Sequence, residues 1–79
     1  MQVIRQKAEV RAAKDLKLND VFIERDTYPA EAFVVRHVKA NKNRLYLQVR
    51  NIKTTIPDFW MVDSNNAELE ILVIGRVVP

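Results

Sequence analysis

β-branched and aromatic residues in this chain come in short bursts separated by polar stretches, a rhythm that belongs to strands rather than helices. The clearest alternation runs over residues 44–50, where Leu45, Leu47 and Val49 interleave with Arg44, Tyr46, Gln48 and Arg50. Because successive strand side chains point to opposite sides, this segment has one apolar face and one basic, polar face. A second burst over 33–40 precedes it across Asn41-Lys42-Asn43. Asparagine tolerates the left-handed conformation of tight turns, so the two bursts predict a β-hairpin. Residues 21–24, with Arg25 as the outer limit, and residues 68–78 read as further strands, the last bent or bulged at Gly75, the only glycine. Residues 59–62 supply a short fifth candidate. The N-terminal stretch fits two periods: residues 6–16 are rich in helix formers, yet Ile4, Ala8, Val10 and Ala12 share one face at period two. Strand is the reading adopted, with helix the alternative.

Register decides what the hairpin displays. A two-residue turn at Asn41-Lys42 would set Arg36 opposite Leu47 and drive its guanidinium into the core, at a cost on the order of several kcal/mol when unpaired. A three-residue turn over Asn41-Lys42-Asn43 instead puts Phe33, Val35 and His37 inside with Leu45, Leu47 and Val49. The outer face then holds Val34, Arg36, Val38, Arg44, Tyr46, Gln48 and Arg50. The second register is expected. Arginine, tyrosine and valine together on an exposed face make a binding surface.

Ahead of Val21-Phe22-Ile23 lies Asp15-Leu16-Lys17-Leu18-Asn19-Asp20, a polar turn whose Asn and Asp side chains can cap backbone donors. Residues 13–23 resemble the turn of small SH3-like barrels in which a leucine, a spacer and a glycine-aspartate pair lead into an apolar strand, with Asn19 standing where glycine is usual. The resemblance covers eleven residues, and it implies a barrel architecture but no activity. The expected fold is therefore all-β, a small SH3-like barrel of five or six strands built from residues 1–79 as one domain.

Composition narrows the class. Seventy-nine residues, 48% hydrophobic and 29% charged, describe an ordinary folding chain close to the size where one core is barely sufficient. Cysteine is absent, which excludes disulfides and thiolate metal sites and fits a reducing compartment. Met1 is followed by charged residues with no apolar stretch of signal-peptide type, and no apolar run is longer than that of 71–74, which falls far short of the ~20 residues a membrane helix needs. A soluble, cytoplasmic protein is expected, with no membrane partner.

Charge changes the picture more. The net charge is +3, but residues 32–57 hold Arg36, Lys39, Lys42, Arg44, Arg50 and Lys53 with no acid, whereas residues 58–79 hold four acids against Arg76 alone. Clustered cations are what phosphate backbones or acidic protein surfaces select. The plain alternative is a solvated face. Tyr46 within the block is a candidate stacking platform for a base, or a residue packed under a loop or along a dimer seam. Catalysis has little to stand on: Ser64 is the one serine, His37 the one histidine, and a single glycine cannot build a phosphate loop. His37 reads as a core residue, and Phe59, Trp60 and Met61 as a plug closing the open end of the barrel. Asp15, Asp20, Glu24 and Asp26 are too scattered for a calcium loop. The expectation is a non-enzymatic binding module without cofactor or metal. Its nucleic-acid contacts would be Arg36, Lys39, Lys42, Arg44, Arg50 and Lys53 on phosphates and Tyr46 on a base. The alternative is a protein-interaction module, either a homo-oligomer built by edge-strand pairing or an adaptor or inhibitor docking on an acidic partner. Its support is the stretch 69–78, apolar on both faces.

Overall fold

The computed structural model describes residues 2–24 and 31–78; Arg25 and Asp26 lie outside the described residues. Six strands, β1 (Gln2–Ala12), β2 (Asp20–Glu24), β3 (Ala32–Asn41), β4 (Arg44–Asn51), β5 (Pro57–Val62) and β6 (Glu70–Val78), form one antiparallel sheet. The strand order is β1-β6-β2-β3-β4-β5, and the sheet curls into a half-barrel with β1 and β5 at its edges. The ambiguous N-terminal stretch is strand. Among the described residues helix is confined to a single 3-10 turn at Ala13–Asp15, because residues 2–5 and 9–12 pair with β6 on either side of an irregularity between Arg5 and Glu9, hydrogen bonding that a short isolated helix would not match in stability.

One face of the sheet carries the core: Ala13, Leu16, Phe22, Val35, Leu47, Val49, Val62, Ile71 and Val73 are buried together. Phe22 organises one end of it, stacking on Trp60 at 5.6 Å between ring centroids and lying 5.8 Å from Phe33. Opposite this face a smaller cluster joins Val21, Val34 and Val77, with Ala32 and Ile74 against it. The double-sided apolarity of the C-terminal stretch follows from this arrangement, since β6 lies between β1 and β2 and serves both clusters. A bulge makes the change of face possible. Phe22 pairs with Val73 and Val21 with Gly75, so Ile74 is the extra residue, and Val77 moves to the face of Val21 while Ile71 and Val73 stay with Phe22. The irregularity expected at Gly75 thus falls one residue earlier. Gly75 itself meets a different demand: a Cβ there would lie 2.6 Å from the Ile4 carbonyl oxygen on β1.

The turn into β2 is built as its residue types suggest. Asn19 has φ 74°, the left-handed region that glycine otherwise supplies. Its amide donates to the Val35 carbonyl and its carbonyl accepts from the Val77 amide, each at 2.9 Å, so one residue ties β3 to β6. The buried Asp20 accepts from the Lys17 amide at 2.9 Å and from the Arg11 guanidinium at 3.1 Å.

Candidate nucleic-acid interface

The β3–β4 hairpin turns on Lys42 and Asn43, with Asn41 paired to Arg44 and Lys42 at φ 55°. That is neither of the two turns weighed from the sequence. From the tip, Lys39 faces Tyr46, Val38 faces Leu47 and His37 faces Gln48; beyond a bulge at Arg36 the ladder resumes with Val35 opposite Val49 and Val34 opposite Arg50. The three-residue register therefore holds for residues 33–35 and fails toward the tip. Three placements are corrected, two by that failure and one by packing on the opposite face. His37 is exposed rather than inside, and Val38 takes its place against the core. Val34 does lie opposite the core, but it is buried in the second cluster rather than displayed. The bulge reconciles these facts: an extra residue opposite Gln48 lets Arg36 and His37 both reach water, so no cation is desolvated.

β5 extends the surface. Trp60 pairs with Leu47 and Val62 with Leu45 on the core side, which leaves Phe59 beside Gln48 and Met61 beside Tyr46 on the opposite face. Only Trp60 of the expected aromatic plug reaches the core. Phe59 is 78% exposed and Met61 39%, a consequence of period-two alternation in a segment that is apolar at both parities.

The opposite face of β3–β4–β5 thus presents Arg36, His37 and Lys39 from β3, Arg44, Tyr46, Gln48 and Arg50 from β4, and Phe59 and Met61 from β5. Within these strands no Asp or Glu shares that face; Asp58 pairs with Val49 on the core side. Asp63, just past β5, accepts from the Asn65 amide at 2.9 Å. Of the residues expected to contact nucleic acid, Arg36, Lys39, Arg44, Tyr46 and Arg50 come together here, all exposed. Lys42 sits at the hairpin tip, in a shallow depression lined also by Asn41, Asn43, Arg44 and Tyr46. Lys53 lies at the far end of β4, roughly 25 Å away for a strand of this length. Its loop is held by the buried Asn51, whose side-chain oxygen accepts from the Lys53 amide at 2.9 Å and the Thr54 amide at 3.1 Å.

Electrostatic pairing elsewhere sharpens the contrast. The ion pairs among the described residues are Arg11 with Glu9 and Asp20, and Lys14 with Glu68, all away from the hairpin. The hydrogen bond from Arg11, with its charge, lowers the Glu9 carboxyl below its ordinary 4.5, and the bond to Glu68 raises the Lys14 ammonium. The five hairpin cations and Lys53 make no ion pair among the described residues, so their charge is directed to solvent. The described residues hold no group of three His, Asp or Glu able to grip a metal ion, and none of their helices is long and apolar enough to cross a membrane. Phe59, Met61 and His37 are residues of this surface that sequence reasoning missed; pairing Val62 with Leu45 would have revealed the first two. Comparison with protein-family models, curated proteins and solved structures yields no significant match.

Proposed function

We propose that this chain is a non-enzymatic nucleic-acid-binding module that uses the basic face of β3–β4–β5. One observation carries the reading: a sheet face with four cations that make no ion pair among the described residues, an exposed tyrosine and no carboxylate among its strand positions. Structural charge pairing would intersperse acids, as it does around Arg11 and Lys14, whereas a phosphate-binding face excludes them. Arg36, Lys39, Arg44 and Arg50 contact phosphates, Lys42 and Lys53 extend the track at its ends, and Tyr46 offers a ring to a base. The architecture is read as a small SH3-like barrel, on the strength of the curled six-stranded sheet and of Asn19 in the left-handed conformation where that turn usually has glycine. The lack of cysteine supports a cytoplasmic setting.

Fluorescence-anisotropy titration of labelled oligonucleotides at low and near-physiological salt tests the reading. Binding should be micromolar or tighter at low salt and weaken steeply as salt rises. Arg44→Ala and Arg50→Ala should each reduce the slope of log affinity against log salt on duplex DNA by about one unit. Salt-insensitive binding, or slopes unchanged by both variants, would contradict it.

A second reading, homo-oligomerisation through an open sheet edge, is favoured by β1, where Val3, Ile4 and Val10 are exposed along an edge strand. Light scattering tests this reading on its own account, because pairing along β1 leaves the basic face uncovered and a monomer in solution would contradict it.

A further inference from the structure

We propose that the basic face takes single-stranded nucleic acid and stacks two neighbouring bases on Tyr46 and Phe59. The inference rests on the nucleic-acid reading above and deepens it, since clustered cations alone do not distinguish a duplex from a single strand. The added observation is Phe59. No large hydrophobic side chain described as exposed is more so, at 78%, and it sits on an edge strand whose other aromatic residue, Trp60, is turned into the core. Leaving a phenyl ring in water forgoes roughly 1.5–3 kcal/mol of burial, and no ring pair among the described residues engages it.

Register places the two rings as a unit. Phe59 is opposite Gln48 and Met61 is opposite Tyr46, so Tyr46 and Phe59 are diagonal neighbours on adjacent strands, about 7–8 Å apart with their Cβ atoms somewhat closer. Lys39 stands directly across from Tyr46, and Arg36 with His37 across from Gln48. From β3 to β5 the face therefore grades from cations to aromatic and thioether groups. A strand laid along β4 would meet phosphate-binding groups on its β3 side and π-faces on its β5 side. Duplex bases are already stacked on each other and cannot use the rings, whereas the bases of a single strand can splay onto them. A second copy paired along β5 would also cover Phe59, but it would bring two basic, carboxylate-free faces side by side with no counter-charge.

The test compares labelled oligothymidylate with a labelled duplex, by anisotropy at two salt concentrations, for the parent chain, Phe59→Ala, Tyr46→Ala and Phe59→Trp, with circular dichroism confirming the fold of each. Each alanine variant should weaken single-strand binding by roughly fivefold or more with the salt slope unchanged, because no cation is removed. Phe59→Trp should retain affinity. Two adjacent abasic positions in the oligonucleotide should reproduce the loss on the parent chain. Equal binding of duplex and single strand, with Phe59→Ala neutral on both, would overturn the inference and leave the broader reading standing. Absence of any binding at low salt would overturn both. A parent dimer that Phe59→Ala dissociates without changing single-strand affinity would assign the ring to a copy interface and overturn the inference.

Discussion

Asn19 shows how much of this fold hangs on one backbone conformation. Its φ of 74° lies where residues other than glycine and asparagine are strained, and its backbone N–H and C=O bond β3 and β6 respectively. Asn19→Gly should leave stability within about 0.5 kcal/mol of the parent, whereas Asn19→Ala should cost about 1–2 kcal/mol; urea unfolding of both variants measures this, and equal midpoints would refute it. Glu9 gives a second prediction at this scale. Arg11 lowers its folded carboxyl below 4.5, so its contribution is present above that value and is lost as pH falls through the folded one. The group is exposed and screened, so the effect is small: Glu9→Gln should lower the thermal midpoint slightly at pH 7 and not at all near pH 2. The Asn19 turn was legible because asparagine followed by aspartate carries its own chemistry. The outward Phe59 was not, because residues 59–62 are apolar at both parities and only the pairing of Leu45 with Val62 decides which side chain faces the core.

Among the elements, β6 and the β3–β4 hairpin contrast in what hydrophobic pattern can and cannot convey. Alternation in β4 defined its two faces at once, and the five inferred strands with the N-terminal stretch are the six observed. The hairpin register was only partly readable. A bulge at Arg36 spares both that guanidinium and His37 from burial, and bulges leave no mark in a period-two pattern except a cation at an inward position. The solution expected from the sequence was to lengthen the turn; the chain instead inserts its extra residue mid-strand. In β6 the apolar residues on both faces were visible, and their reason is central placement beside β1 and β2 with a change of face at Ile74. Gly75 lets β1 approach. Since the atom a new Cβ would strike is a backbone carbonyl that cannot rotate away, Gly75→Ala should destabilise by about 1–3 kcal/mol, with β1 amides exchanging faster than those of β4. A variant as stable as the parent, with unchanged β1 protection, would show that the close approach is not needed.

At the scale of the molecule, a net charge of +3 conceals a division of labour. Carboxylates near β1 and the segment before β6 are engaged with Arg11 and Lys14, while the cations of β3 and β4 face solvent unpaired among the described residues. A half-barrel makes the division possible: its curl buries one face, and the opposite face of β3–β4–β5 stays broad enough to carry cations and rings in register. The electropositive block was plain in the sequence as an acid-free window of residues 32–57. Its extension by Phe59 and Met61 required the sheet, because these residues lie on another strand and join the block only through pairing with β4. The most direct test is a two-dimensional amide NMR titration of the isotope-labelled chain with a short unlabelled single-stranded oligonucleotide at low salt. Shifts should concentrate in residues 36–53 and 57–61, with β1 and β6 unmoved. An unperturbed spectrum, or shifts gathered along β1 and β6, would contradict the proposed interface.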